Sequence, residues 1–298
     1  MASTRDIRRR IKSVKNTAQI TKAMQLVAAS KMKKAQDQAT AGRPYADLMN
    51  KVLVNLKEQT EEDLHPLLEE REEGKELLLV ITTDKGLCGG LNTNLLKMVT
   101  EKTNADASIV TVGRKGRGSL ARLGRNLVAD FHVHDPVHFS ETKLISKFLI
   151  NQFLEEGYSK VSVAFTNFIN TISQEPMVET LLPVRPIDLG RDRDFVGMGK
   201  DEPVDIASKG AGPAGYIFEP TPETVLDTIV PLYLNYQVYQ LLLESRASEH
   251  SARMVAMKSA TDNANEMIAD LTLAYNKQRQ AAITAELLEI TTAMKALE

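Results

Sequence analysis

The sequence predicts an α/β fold plus a long antiparallel coiled coil, in which N- and C-terminal helices form a protruding rod and the centre is a mostly parallel α/β domain. Three observations predict it. One three–four apolar ladder runs from Thr4 to Gln59, a second runs from Thr224 to Leu297, and between them short apolar runs alternate with amphipathic stretches. The division expected is a coiled-coil helix at 1–60, an α/β domain at 75–222 and a second coiled-coil helix at 223–298.

The first ladder visits Ile7, Ile11, Val14, Ala18, Thr21, Gln25, Ala28, Met32, Ala35 and Ala39. Steps alternating three and four make a coiled-coil seam, here with a small and polar middle where Leu is usual. Ile20, Met24 and Val27 form a second apolar line beside it. Only Gly42 and Pro44 interrupt, and a proline that lacks its N–H and crowds the preceding turn predicts a kink. Such a helix spans roughly 80 Å at 1.5 Å per residue.

The second ladder runs Val225, Ile229, Leu232, Tyr236, Tyr239 and Leu243, then through Arg246, His250 and Arg253. It continues as Met257, Ala260, Ala264, Met267, Leu271, Ala274, Gln278, Ala281, Ala285 and Leu288. Pro231 falls near the expected start, where a first-turn proline is tolerated. Neither Pro nor Gly follows it through Glu298. At roughly 100 Å, about twice the diameter of a compact globule of this mass, the helix must protrude. A half-apolar helix that protrudes needs a partner, and antiparallel pairing of the two ladders buries both seams.

Between the ladders, LLLVIT (Leu77–Thr82) reads as a buried strand, followed by a turn at DKGLCGG and a helix from Leu91. Ser108–Val112 is a second strand, followed by GRKGRG and a short helix. A helix at Glu141–Glu156 precedes a strand at Lys160–Phe168, and a further strand is expected near Met177–Ile187. This alternation implies right-handed crossovers between parallel strands. The Gly-, Pro- and Asp-rich stretch Asp188–Pro222 reads as a long loop.

Composition excludes several function classes. A chain of 298 residues with 43% hydrophobic and 26% charged residues can bury a core. Its net charge of -2 argues against nucleic acid as a partner. The single cysteine, Cys88, cannot form an intramolecular disulfide or a thiolate zinc site, so reductant should not alter activity. No apolar run is long enough for a direct transmembrane segment. The basic N-terminus lacks the apolar centre of a signal peptide, and Asp6 and the helical pattern argue against a cleaved presequence.

Charge is unevenly spread. Ten basic residues (Arg5, Arg8, Arg9, Arg10, Lys12, Lys15, Lys22, Lys31, Lys33, Lys34) face only Asp6 within residues 1–35. Residues 58–76 reverse the balance. Solvated helix faces account for both stretches; so does a basic helix lying against an acidic partner.

Motifs for chemistry are sparse. DKGLCGG (Asp84–Gly90) sits where a phosphate cradle would, but lacks the Gly-Lys-Ser/Thr that brings a cation and a magnesium ligand to a nucleotide. Gly113–Gly118 does not follow the dinucleotide-binding order of glycines and reads as a turn. On a strand, His132 and His134 would share a face, with Asp135 or His138 completing a metal site, but Pro136 interrupts directly afterwards. Arg246, His250 and Arg253 fit buried polar markers of register as well as site residues. Neither a catalytic residue, a cofactor nor a resident metal is expected.

Three segments carry a family resemblance. IRRRIKSVKNTAQITKAMQLVAASKM (Ile7–Met32), ITTDKGLCGGLNTNL (Ile81–Leu95), and SEHSARMVAMKSATDNANEMI with YNKQRQAAITAELLEI (Ser248–Ile290) resemble the gamma subunit of F-type, proton-translocating ATP synthases. The resemblance spans essentially the whole chain and is weakest at 188–215. It departs at the end, where the family's Glu-Ile-Val-x-Gly-Ala becomes EITTAMKAL; loss of the Gly predicts extra helix.

The resemblance implies a central rotor shaft that couples proton flow to ATP synthesis or hydrolysis at beta-subunit sites, itself doing no chemistry. It implies contacts with the alpha and beta subunits of the catalytic head, the epsilon subunit and a membrane ring of proton-carrying subunits. It also implies a peripheral membrane location on the cytoplasmic face of the bacterial plasma membrane. By position, the head contacts implied are Arg8, Arg9, Lys22, Met24, Lys31, Glu219 and Arg253, with Arg279, Gln280, Thr284 and Glu286 on the upper shaft. The alternative of another class is a coiled-coil adaptor with a nucleotide-sensing α/β domain.

Overall fold

The computed structural model describes residues 4–59, 65–71, 74–104, 106–184 and 221–297. The chain divides into two compact units, Met1–Ala28 with Arg253–Glu298, and Ala29–Ala252. Two helices supply residues to both: α1 (Thr4–Gln59) and α5 (Pro222–Leu297). The strands and remaining helices belong to the second unit.

In the first unit the two ladders mirror each other. Along α1, Thr4, Ile7, Ile11, Val14, Ala18, Thr21, Gln25 and Ala28 are buried or half-buried, among flanks that are exposed apart from half-buried Met24. Along α5, Met254, Met257, Thr261, Ala264, Ile268, Leu271, Tyr275 and Gln278 are buried or half-buried, with Ala256 and Ala260 half-buried beside them. One contact sets the register: Thr21 Oγ1 and Thr261 Oγ1 lie 2.7 Å apart. Counting outwards antiparallel from that pair matches every ladder residue, Ala18 with Ala264, Ile7 with Tyr275 and Thr4 with Gln278. From Arg279 to Lys295 every α5 residue is exposed, beyond the last mirrored pair, Thr4 with Gln278.

Three expected α5 seam positions move. Ala260 is half-buried, Met267 half exposed and Ala274 exposed, and Thr261, Ile268 and Tyr275 take their places. Ala281, Ala285 and Leu288, placed on the seam by periodicity, are exposed.

In the second unit, β1 (Lys75–Ile81), β2 (Ser108–Val112), β3 (Leu127–Phe131), β4 (Tyr158–Phe168) and β5 (Gln174–Leu182) form one sheet in the order β3-β2-β1-β4-β5. All pairs are parallel except β4 with β5. The central strand is apolar on both faces, as a covered parallel strand must be. Leu78 and Val80 pack with Ile109 and Ala164 against Leu95, Met98 and Val99 of α2 (Leu91–Lys102) and Leu120 of α3 (Arg114–Arg122). Leu77, Leu79 and Ile81 join a larger core with Ile145, Leu149 and Phe153 of α4 (Phe139–Glu155) and with residues of α1 and α5.

Here α5 changes character. From Val230 to Ser251 nearly every residue is buried, including Leu241, Leu242 and Leu243 in succession, so the segment is covered all round and has no single seam. The helix starts at Pro222, with the Thr221 hydroxyl accepting the Thr224 N–H at 3.4 Å. Pro222 therefore holds the first-turn position expected of Pro231, and Pro231 is interior. Likewise α1 stays helical through Pro44. Gly42 has a packing reason: a Cβ there would come 3.0 Å from Tyr236 Oη.

The strand β3 had no separate sequence expectation. It ends at Phe131, so His132 and His134 follow the strand and are not on it. The expected loop Asp188–Pro222 lies almost wholly outside the described residues.

Candidate functional site

The C-terminal ends of parallel strands, where the order of connections reverses, are where α/β proteins usually bind ligands. In this sheet that place lies beside β1, whose C-terminal turn is DKGLCGG. The turn satisfies itself. Asn92 Nδ2 donates to Thr83 Oγ1 at 2.8 Å, the Thr83 hydroxyl donates to Lys85 O at 2.7 Å, and the Arg114 N–H donates to Asp84 Oδ1 at 3.1 Å. The glycines of GRKGRG serve packing. A Cβ on Gly113 would sit 2.3 Å from Thr82 O, and one on Gly116 would sit 2.7 Å from Thr82 Cγ2. Gly116 N–H donates instead to Thr82 Oγ1 at 2.9 Å.

Side chains of α5 meet this edge. The Arg246 guanidinium donates to Glu249 Oε2 at 2.8 Å and to Val133 O at 2.9 Å, with Asp84 Oδ2 3.5 Å away. Burial opposes its charge, but Glu249 and Asp84 outweigh burial and hold the group firmly protonated. One turn on, His250 Nε2 lies 3.2 Å from Asp135 Oδ2, and Lys31 Nζ of α1 lies 2.7 Å from the same oxygen. The Asp135 carboxyl is held far below the usual carboxylate range, first by His250 and then by Lys31, against the opposing effect of burial. Arg246 and His250 are thus buried polar markers with definite partners.

Among the described residues, no group of three His, Cys, Asp or Glu is placed to hold a metal ion. His134 pairs with Glu141, and the His132 and His134 rings meet edge to face.

The expected partner-contact residues fall in different settings. Arg8, Arg9, Lys22, Arg279, Gln280, Thr284 and Glu286 are exposed, while Met24 and Arg253 are half-buried. Lys22 Nζ donates to Gln25 Oε1 at 3.2 Å, and the Thr284 hydroxyl turns back to Gln280 O at 3.0 Å. Lys31 has an internal partner in Asp135. Glu219 lies outside the described residues. Sequence reasoning named Asp84 and Asp135 only in a turn and in a candidate metal site and did not pair them with Arg246 and His250; the available signal was that a buried arginine on α5 demands a carboxylate elsewhere. It also did not pick out the exposed apolar line Ile283, Leu287, Ile290 and Met294 beyond the paired zone.

An α/β sheet between two long terminal helices, the second ending in an exposed apolar line, defines a scaffold with helices built to contact other chains. A family model described as ATP synthase matches residues 3–297. The chain is 51% identical to the ATP synthase gamma chain of Opitutus terrae, over 98% of both chains, and 48% identical to that of Akkermansia muciniphila, over the whole of both. Among solved structures, a chain of the Euglena gracilis mitochondrial ATP synthase shares the fold at TM-score 0.65 and 20% identity, covering 99% of this chain and 94% of that one. A central-stalk chain of the Tetrahymena thermophila enzyme matches at TM-score 0.59 and 28% identity, over 81% of this chain and 99% of that one. The chain belongs to the ATP synthase gamma-chain family. Its function is that of the rotor shaft, a non-catalytic subunit of the enzyme. Among the described residues, no helix is long and apolar enough to cross a membrane.

Proposed function

We propose that the helix pair of the first unit enters a ring of alpha and beta subunits, while the α/β unit binds the epsilon subunit and the membrane ring of proton-carrying subunits. The observation that carries this reading is the two-part character of α5. Its first part is enclosed on all sides, whereas its last part keeps Ile283, Leu287, Ile290 and Met294 exposed in three–four steps. An apolar line of that spacing fits a sleeve supplied by other chains. Rotation then presents different faces of the pair to each beta subunit in turn. The faces must bind distinct beta conformations with different affinity, because a driver can shift a conformational equilibrium only by its differential binding.

In this reading Arg8, Arg9 and Lys22 face acidic beta segments, Met24 and Arg253 lie at the beta level with Glu219, and Arg279, Gln280, Thr284 and Glu286 meet the head. The location is peripheral, on the cytoplasmic face of a bacterial plasma membrane. Reconstitution tests it: alpha and beta subunits mixed with this chain should gain sustained ATPase activity, and the chain should capture epsilon and the ring. Equal ATPase activity with and without the chain would overturn the reading.

A further inference from the structure

A shaft transmits torque only as well as its helices are fixed against turning relative to the body that drives them. Most of what holds α5 in the second unit is apolar, with Val230, Leu234, Val238, Leu241, Leu242 and Leu243 all in one core. Apolar burial is non-directional and resists slippage weakly per contact. Charge-assisted hydrogen bonds have fixed directions, and a guanidinium fork has a fixed plane.

These directional ties are concentrated at the C-terminal edge of the sheet. The Arg246 guanidinium of α5 donates to Val133 O after β3 and forms an ion pair at 3.5 Å with Asp84 Oδ2 after β1. Lys31 Nζ of α1 donates to Asp135 Oδ2, two residues beyond Val133, and His250 Nε2 of α5 lies 3.2 Å from the same oxygen. Asp135 therefore joins both long helices to the same loop of the sheet. Arg246 and His250 side chains are nearly inaccessible, at 7% and 4% exposure, so water competes little for these ties.

We infer that Asp135 is a positioning residue for rotary coupling, acting as the pin that fixes α1 and α5 in angle against the α/β unit, with the Arg246–Asp84 pair as a second pin in parallel. This rests on the rotor-shaft reading and adds the residues that carry the torque. Neither charge touches a catalytic site, and the role is mechanical.

The test is single-molecule rotation of a complex reconstituted from alpha, beta and this chain. A bead is attached through a cysteine replacing exposed Glu155 at the end of α4, since native Cys88 is buried. With the head arrested by nucleotide, the angular variance of the bead reports stiffness. Loss of one of two parallel ionic ties should widen the variance by up to about twofold in Asp135→Asn, and Asp135→Glu should restore most of the parental value. Parental variance in an assembled Asp135→Asn complex would overturn the inference. So would equal widening by Asn and Glu, which would mark a packing requirement instead of a charge. If Asp135→Asn does not assemble, Lys31→Gln removes one half-exposed arm; a wider variance there supports the inference and an unchanged one overturns it. A parental complex that never rotates would instead refute the rotor-shaft reading itself.

Discussion

Helix α5 is one continuous helix living in two environments. Between Val230 and Ser251 it is enclosed on all sides, and several of its polar groups bond to neighbouring elements: Asn235 accepts from Thr142 at 2.7 Å, Ser248 donates to Thr166 O at 2.9 Å, and Ser251 donates to Thr171 O at 2.9 Å. From Met254 to Gln278 it buries one stripe against one partner, and beyond that it buries nothing. The backbone is the same throughout, so the difference lies in what each stretch needs in order to stay helical. The enclosed stretch is held by tertiary packing, the striped stretch by a single seam, and the last stretch by intrinsic propensity until another chain covers it.

Substitutions can break or sharpen that contrast. The largest effect is expected from Leu243→Ala, fully buried in the enclosed stretch, which should lower the unfolding free energy of the purified chain by about 2–5 kcal/mol in urea. A loss under about 1 kcal/mol would mean that the enclosed core collapses around the gap. Next comes the seam. Ala18 stands opposite Ala264 in the mirrored register, so Ala18→Leu should cost roughly 1–3 kcal/mol by overpacking. A stabilised Leu variant would disprove that register.

The Thr21–Thr261 contact sharpens the same point. Each hydroxyl also reaches a carbonyl of its own helix, Thr21 to Ala18 O at 3.1 Å and Thr261 to Met257 O at 2.8 Å, so only one need donate across. Either single change to Val should cost about 1 kcal/mol, and the double change should recover part of that loss. Strict additivity in the double-mutant cycle would show the two hydroxyls to be uncoupled.

Acid titration separates the halves by sign. Asp135 ionises more readily when folded than when unfolded, so its contribution is complete above the ordinary value of 3.8 and is lost as pH falls further below it. Asp135→Asn should flatten the acid limb of the stability curve, and an unchanged limb would contradict the tie to His250 and Lys31. The smallest effect belongs to Leu288→Ala in the exposed stretch, within about 0.5 kcal/mol for the isolated chain by the same urea measurement. Assembly with alpha and beta subunits should be visibly weaker, and unimpaired assembly would remove Leu288 from the proposed contact surface.

Much of this was legible in the sequence, and the failures have physical causes. The seam of α1 read correctly from Ile7 to Ala28 because the three–four steps set by Ile7, Ile11 and Val14 carry through its small and polar middle. On α5, Met267 and Ile268, and again Ala274 and Tyr275, offer two adjacent candidates. Periodicity alone cannot choose between them; the other helix can, through Thr21. The exposure of Ala281, Ala285 and Leu288 depends on where the mirrored pairing ends, which a local pattern does not contain. Strand β3, LVADF, is an edge strand with alternating half-buried positions, too short and polar to stand out from its turn. Arg246 and His250 were recognisable as buried polar markers, but Asp84 and Asp135 lie more than a hundred residues away in the chain and are joined to them only by the fold.

The end of the mirrored ladder at Gln278 has a consequence for the life of the chain before assembly. The nineteen residues from Arg279 to Leu297 form a solitary helix of roughly 28 Å, a length at which helices in water are only marginally stable. Amide protons there should exchange with solvent far faster than those between Val230 and Ser251, and proteases should cut there first. Enclosure by a completed ring would remove that vulnerability. In the proposed assembly, a surplus chain without a ring would therefore be the first to be cut.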